Sequence, residues 1–192
     1  MRRTATTLLA AAIFGMLAPE AAPAADVYKL DPVHSVAVFK TKHLGVSYTY
    51  GLAPNLEGEF TYDPDNPEAC AITVTAPALD ITTEHRERDD HVLGEDFLNA
   101  VEHRTMQFRG TGFKKTGEST YEVTGDLTIL AVTKPITIEA EFVGCGPVQE
   151  GEIRCGFDAR FTIKRSDFGI SAYLGPVGDE VTLMVGIEGI KQ

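Results

Sequence analysis

Ile153-Arg154-Cys155-Gly156-Phe157-Asp158-Ala159-Arg160-Phe161-Thr162-Ile163 alternates apolar and polar side chains with only its glycine out of step. Successive side chains on a strand point to opposite faces, so this stretch reads as a strand with one dry and one wet face. The same period of two runs through residues 121–129, 136–142 and 181–187. That pattern belongs to antiparallel sheet with one side on a core. Earlier strands are expected over residues 35–43, 47–62, 71–76 and 105–113. Turn clusters such as Asp63-Pro64-Asp65-Asn66-Pro67 and Lys115-Thr116-Gly117 separate them. About eight such strands close into a small barrel or fold into a two-sheet sandwich, and alternation does not choose between the two. One charged segment, residues 84–100, breaks the pattern and reads as short helical turns capping or crossing the sheet.

The first residues are set apart from this pattern. Arg2 and Arg3 precede an apolar stretch over residues 8–17, and Ala22-Pro23-Ala24 supplies small residues for cleavage. This predicts an export signal over residues 1–25 and one domain over residues 26–192. The apolar stretch is too short to span a bilayer and has no second copy, so no permanent membrane anchor is expected. Losing Arg2, Arg3 and Glu20 moves the formal charge from −11 to about −12. Such a surface repels phosphate backbones and anionic headgroups, which argues against nucleic acid as a partner. Three cysteines are present: Cys70, Cys145 and Cys155. In an oxidising compartment Cys145 and Cys155 are natural disulfide partners across the loop holding Gly146-Pro147 and Gly151. Strict alternation puts Cys155 on the dry face and Cys145 on the wet one, so their pairing needs a bulge near Gly144. Cys70 reads as a small buried residue.

Asp31-Pro32-Val33-His34-Ser35 opens a further run in which Ser35, Ala37, Phe39, Thr41 and His43 share one face. A purely apolar core needs neither hydroxyl nor imidazole, so this face suits a wall that packs and also meets something polar. Downstream come Arg88-Asp89-x-His91, then Asp96-Phe97, then Gly125-Asp126-Leu127-Thr128-Ile129 with Val132-Thr133-Lys134-Pro135. Arg165-Ser166-Asp167-Phe168-Gly169-Ile170 and Gly178-Asp179-Glu180-Val181 follow. In this order the set resembles the YceI-like, polyisoprenoid-binding family of exported bacterial proteins, from about Tyr28 to Glu188. Val92 and Leu98 stand where Leu and Phe are more usual in that pattern, Arg104 where Pro is common, and Leu130 where a polar residue is frequent.

The resemblance implies an all-β, extended, lipocalin-like antiparallel β-barrel with an elongated apolar cavity. It also implies a periplasmic, non-catalytic carrier of a polyisoprenoid or similar long amphiphilic lipid, a quinone or a prenyl phosphate, with no other cofactor. Candidate cavity walls are Phe39, Phe108, Leu127, Phe142, Phe157, Phe161 and Phe168, with Phe97 closing one end. Candidate polar contacts are His34, His43, Arg88, His91 and Arg165. Arg88 and Arg165 also have Asp89 and Asp167 close by, so bracing salt bridges are a competing role. Burial of each CH₂ contributes about 0.8 kcal/mol, so one five-carbon unit contributes roughly 3–4 kcal/mol. Ordering a floppy chain offsets much of that sum, and selectivity then rests on cavity length and a few polar groups.

Three other classes compete. An enzyme would use His34 with Asp31 or His91 with Asp89 as a titrating pair, but no nucleophile elbow, phosphate loop or H-E-x-x-H motif accompanies them. A metal carrier would draw on His85, His91 and His103 with Asp89 and Asp90, whose spacing matches no zinc pattern. A solid β module would make the Phe-rich faces ordinary packing. A monomer and a homodimer both remain open.

Overall fold

Ten strands form in the computed structural model, which describes residues 25–148 and 151–192. They are β1 (Asp26–Leu30), β2 (Val36–His43), β3 (Ser47–Ala53), β4 (Glu57–Tyr62), β5 (Ala71–Pro77), β6 (Thr105–Lys115), β7 (Thr120–Ile129), β8 (Val132–Pro147), β9 (Ile153–Lys164) and β10 (Val177–Lys191). The export signal expected over residues 1–25 lies, but for Ala25, outside the described residues.

All ladders between strands are antiparallel, in the order β1-β4-β5-β6-β7-β8-β9-β10, and β10 returns to β1 through Tyr28 opposite Lys191. That closure selects barrel over sandwich. β2 lies on the same edge of β10 as β1: β2 pairs with the stretch from Val177 to Gly186, and β1 with Gly189 to Lys191. β3 lies beside β2 just as β4 lies beside β1. Ten segments therefore fill eight barrel positions, two of which are broken midway.

The two breaks have local causes. After β1, the Asp31 carboxylate accepts the Val33 N–H at 3.0 Å and its carbonyl accepts the His34 N–H at 3.2 Å, which turns the chain. Between β3 and β4, Pro54 removes a ladder donor and Asn55 adopts a φ of +58°. The single strand expected over residues 47–62 is thus two, and Leu56 turns fully inward at the break. The hairpin joining β7 to β8 is a two-residue turn with both Leu130 (φ +50°) and Ala131 (φ +61°) left-handed, as its twist requires. On the β8–β9 ladder the register slips between Phe142 and Gly144, which brings Cys145 opposite Cys155, and the two are joined by a disulfide.

The segment between β5 and β6 carries the helix α1 (Arg86–Leu93). It touches the outer edge of β3 through one bridge, Leu52 N–H to Thr82 O at 2.8 Å and Thr82 N–H to Leu52 O at 3.0 Å. Val92, Leu93 and Leu98 pack from this segment onto the core cluster that holds Ala53, Leu56 and Ile81. At the opposite end of the barrel aromatic rings interlock. Tyr62 stacks on Phe142 at 4.9 Å, Tyr28 on Phe60 at 5.0 Å, and Phe157 meets Phe60 and Tyr62 edge-on.

Candidate functional site: a two-chambered barrel interior

The inward face of the strands does not fill the barrel. An inner chamber of about 160 Å³ is walled by Phe60, Tyr62, Phe108, Tyr121, Phe157 and Phe161 among others. An outer chamber of about 440 Å³ opens beside α1 and is bounded by Phe39, Val92, Phe97, Leu98 and Ile163 together with polar groups. Ala37, Ala53, Met106, Ile129 and Leu183 line both, so the two chambers adjoin at a waist made partly of alanine. The alternation of β2 places Ala37, Phe39, Thr41 and His43 on the cavity wall, while Ser35 is buried at the strand's start. The Phe39 ring lies across Gly51 on the neighbouring strand, where a Cβ would fall 2.1 Å from its Cζ.

The outer chamber is where charge collects. Lys42, His43, Arg88, His91 and Arg165 all border it. Arg165 continues the inward face of Phe161 and Ile163 beyond β9, and the turn over Arg165–Phe168 ends on Gly169 at φ +88°. Only 5% exposed, its guanidinium donates to the carbonyls of Gly178 (2.9 Å), Ile170 (3.0 Å) and Val177 (3.0 Å) and lies 5.6 Å above the Phe97 ring. Burial pulls its pKa down, yet an arginine stays protonated at any physiological pH. Asp179 does not pair with it directly; that carboxylate accepts the Ser166 N–H and hydroxyl. The Ser166 N–H leads the causes that hold its pKa low.

Arg88 is braced differently. Its Nε donates to Thr83 Oγ1 at 2.7 Å and its terminal nitrogen to Thr83 O at 2.8 Å. Asp89 accepts the Thr82 hydroxyl at 2.8 Å and the Thr83 N–H at 2.6 Å. Burial pushes the Asp89 carboxyl upward, but the Thr83 and Thr82 hydrogen bonds and the Arg88 charge outweigh it and hold the pKa low. The salt bridges expected of Arg88 with Asp89 and of Arg165 with Asp167 therefore do not form among the described residues. Hydroxyls and backbone groups take their place. His91 shares a hydrogen bond with Asp96 at 3.1 Å and stands edge-on to Phe97 (5.0 Å) and Tyr173 (5.4 Å).

Of the residues singled out from sequence, Phe39, His43, Arg88, His91, Phe97 and Arg165 border the outer chamber. Phe108, Leu127, Phe157 and Phe161 border the inner one. Three do not line the cavity. Phe142 is locked in the aromatic stack of the closed end, and Phe168 is fully buried beneath Leu127 and Ile129. His34 is exposed on the outer face, its Nδ1 sharing a hydrogen bond with Asp31 at 2.8 Å. Sequence reasoning passed over Leu183, Val185, Phe60, Tyr62 and Ala53 as cavity residues. Leu183 and Val185 carried the same period-two signal as their neighbours; Ala53 carried none that separates a waist from a filled core.

Among the described residues one trio of metal-ligating side chains converges, Asp31, His34 and Glu188, within 4.8 Å. Arg154 already occupies it, donating to Asp31 at 2.7 Å, to Glu188 and to Glu152 at 2.5 Å. The hydrogen bond with His34, and after it that from Arg154, brings the Asp31 pKa down to about 2. A cation would have to displace a guanidinium. His85, His91 and His103 do not assemble.

A sequence profile of the YceI-like domain matches residues 28–189. Protein YceI from Escherichia coli O17:K52:H18 is 41% identical over 179 residues, covering 92% of this chain and 93% of that one. A UPF0312 protein from Ectopseudomonas mendocina is 44% identical over 159 residues, 83% of each chain. Among solved structures, the Campylobacter jejuni YceI protein superposes with a TM-score of 0.71 at 29% identity, over 79% of this chain and 90% of that one. A polyisoprenoid binding domain from Saccharophagus degradans has the same fold, with a TM-score of 0.67 at 12% identity over 86% and 98% of the two chains. Among the described residues no helix is long and apolar enough to cross a membrane.

Proposed function

The chain belongs to the YceI-like family, and from that premise we propose that it is a non-catalytic carrier for a polyisoprenoid or similar long amphiphilic lipid. The tail threads the waist into the inner chamber, and the head group rests in the outer one. The observation that carries this reading is the pair of adjoining apolar chambers with basic side chains at one end only. The inner chamber offers Phe, Tyr, Leu, Val and Ile with few polar atoms, which suits a hydrocarbon chain. Lys42, His43, Arg88, His91 and Arg165 offer donors to a quinone carbonyl, and Lys42, Arg88 and Arg165 add positive charge for a prenyl phosphate. The binding activity named for the Saccharophagus degradans domain points the same way. An export signal over residues 1–25 would place the carrier in the periplasm, where the Cys145–Cys155 bridge is stable.

The two titrating pairs that an enzyme would use do not assemble in the chambers. His91 is engaged with Asp96, and the Asp31–His34 pair lies outside the cavity. Organic extraction of protein purified without detergent, followed by mass analysis, tests the reading. A stoichiometric isoprenoid is the expected result. Repeated recovery of empty protein that also refuses added polyprenol would end it.

A further inference from the structure

The lip of the outer chamber is built from two stretches unlike the rest of this acidic chain. Residues 40–53 and 168–178 contain no Asp or Glu, although the chain has 28 of them. The two stretches are knit together. Leu44 N–H donates to Pro176 O at 2.7 Å, His43 pairs with Val177, and the Thr41 hydroxyl donates to Gly178 O at 3.1 Å. Where they meet solvent they present apolar and aromatic groups: Leu44 is 60% exposed, Val46 85%, Tyr48 51%, Tyr173 52% and Leu174 47%. Lys42 borders the chamber here, and the Lys40 ammonium sits 4.7 Å over the Tyr48 ring. The exposed apolar tip thus stands directly on the rim through which the cavity opens.

We propose that this lip docks onto the surface of a phospholipid bilayer, so that a bound tail passes between membrane and cavity without crossing water. Leu44 and Val46 reach the acyl boundary, while Tyr48 and Tyr173 sit at headgroup level, where amphipathic rings are favoured. Lys40 and Lys42, with no carboxylate on either stretch, meet the negative surface of anionic lipids. The acid-rich remainder of the protein is repelled by that same surface, which orients the mouth toward the bilayer and keeps the contact brief. Net charge alone argues against an acidic membrane; at the lip Lys40 and Lys42 outnumber the one carboxylate hydrogen-bonded to it, Asp96, which accepts the Tyr173 hydroxyl at 3.4 Å. The inference rests on the carrier reading for its purpose, and its physical basis is the lip itself.

The test is flotation of the full protein with vesicles of phosphatidylethanolamine and phosphatidylglycerol, comparing wild type with the double variant Leu44→Asn, Val46→Ser. Asn tolerates the left-handed φ of +51° at residue 44, and neither side chain lines the cavity. Wild type should float with the vesicles, and the double variant should lose at least tenfold in partitioning with its melting temperature and lipid load unchanged. Val33→Ser, altering an 82% exposed side chain away from the mouth, should float like wild type. Failure of wild type to float, equal flotation of the double variant, or an equal loss in Val33→Ser would overturn the proposal. So would a wild-type dimer that the double variant splits and that ignores vesicles, because the lip would then be covered by a second copy. Flotation that depends on Leu44 and Val46 in a protein that never carries lipid would uphold the docking and sink the carrier reading alone.

Discussion

Replacing Ala53 with Leu should close the passage between the chambers while leaving the polar end of the outer one untouched. Ala53 is 5% exposed, lies opposite Ala37 across the β2–β3 ladder and lines both chambers. The inner chamber measures about 160 Å³. Unfilled apolar space costs roughly 24 cal/mol per Å³, so leaving this chamber empty forgoes about 4 kcal/mol that a tail would recover by filling it. At 1.4 kcal/mol per tenfold, a tail barred from it binds on the order of 10² to 10³ times more weakly. A tail short enough to end in the outer chamber should be indifferent. Overpacking the waist costs about 1–3 kcal/mol of folding stability, which a thermal melt of the delipidated variant reads separately. The assay offers delipidated wild type and variant an equimolar mixture of short and long polyprenols, then quantifies what each retains by mass spectrometry. The variant should shift the ratio toward the short alcohol by two to three orders of magnitude. A folded Ala53→Leu protein with the wild-type ratio would show that tails do not pass the waist, and the two-chamber account would fall.

Ala131→Gly should raise stability by about 1 kcal/mol, roughly 2–4 °C in a thermal melt, because a left-handed alanine is strained and glycine is not. An unchanged or lower melting temperature would contradict that strain. Asp31 has a folded pKa of about 2 against an ordinary value of 3.8. Its stabilisation, roughly 2 kcal/mol, is therefore complete above about pH 4 and lost as pH falls through about 2. Urea titrations across that window should lose this part of their slope in Asp31→Asn. Arg165→Met should cost 3 kcal/mol or more by urea midpoint, because the carbonyls of Gly178, Ile170 and Val177 lose their donor, each a penalty of about 1–3 kcal/mol. A loss below about 1 kcal/mol would make the guanidinium a ligand contact rather than a brace.

The barrel's long strands were legible because each shows water one face and the core the other, and a period of two records that directly. β1 was missed: five residues with Val27 and Tyr28 adjacent offer too short an alternation to register. The break at Pro54-Asn55-Leu56 was hidden inside a run whose flanks both alternate. Departures from the family pattern found physical places. Val92 and Leu98 wall the outer chamber, so their size sets its width. Leu130 gives up the turn preference of Asn or Gly and packs against the cluster around Phe168 instead. For the site, strand parity put most aromatic walls correctly inside. It could not tell a ring facing empty space from one stacked on another, which is why Phe142 and Phe168 were misplaced. The two arginines were legible as braces but their partners were not, since these are hydroxyls and carbonyls that leave no charge pattern in the sequence.

Among the described residues the outer edge of β3 meets its neighbour through one reciprocal backbone pair, Leu52 with Thr82, whereas the other seams of the ring are ladders of three or more residue pairs. Two hydrogen bonds are therefore all the backbone must give up to unlatch the wall beside the entrance. The ring as a whole stays zipped because β1 and β4 hold the far end independently of β2 and β3. Local opening of the barrel is therefore easiest at that one panel, at a small fraction of the free energy needed to unravel the whole.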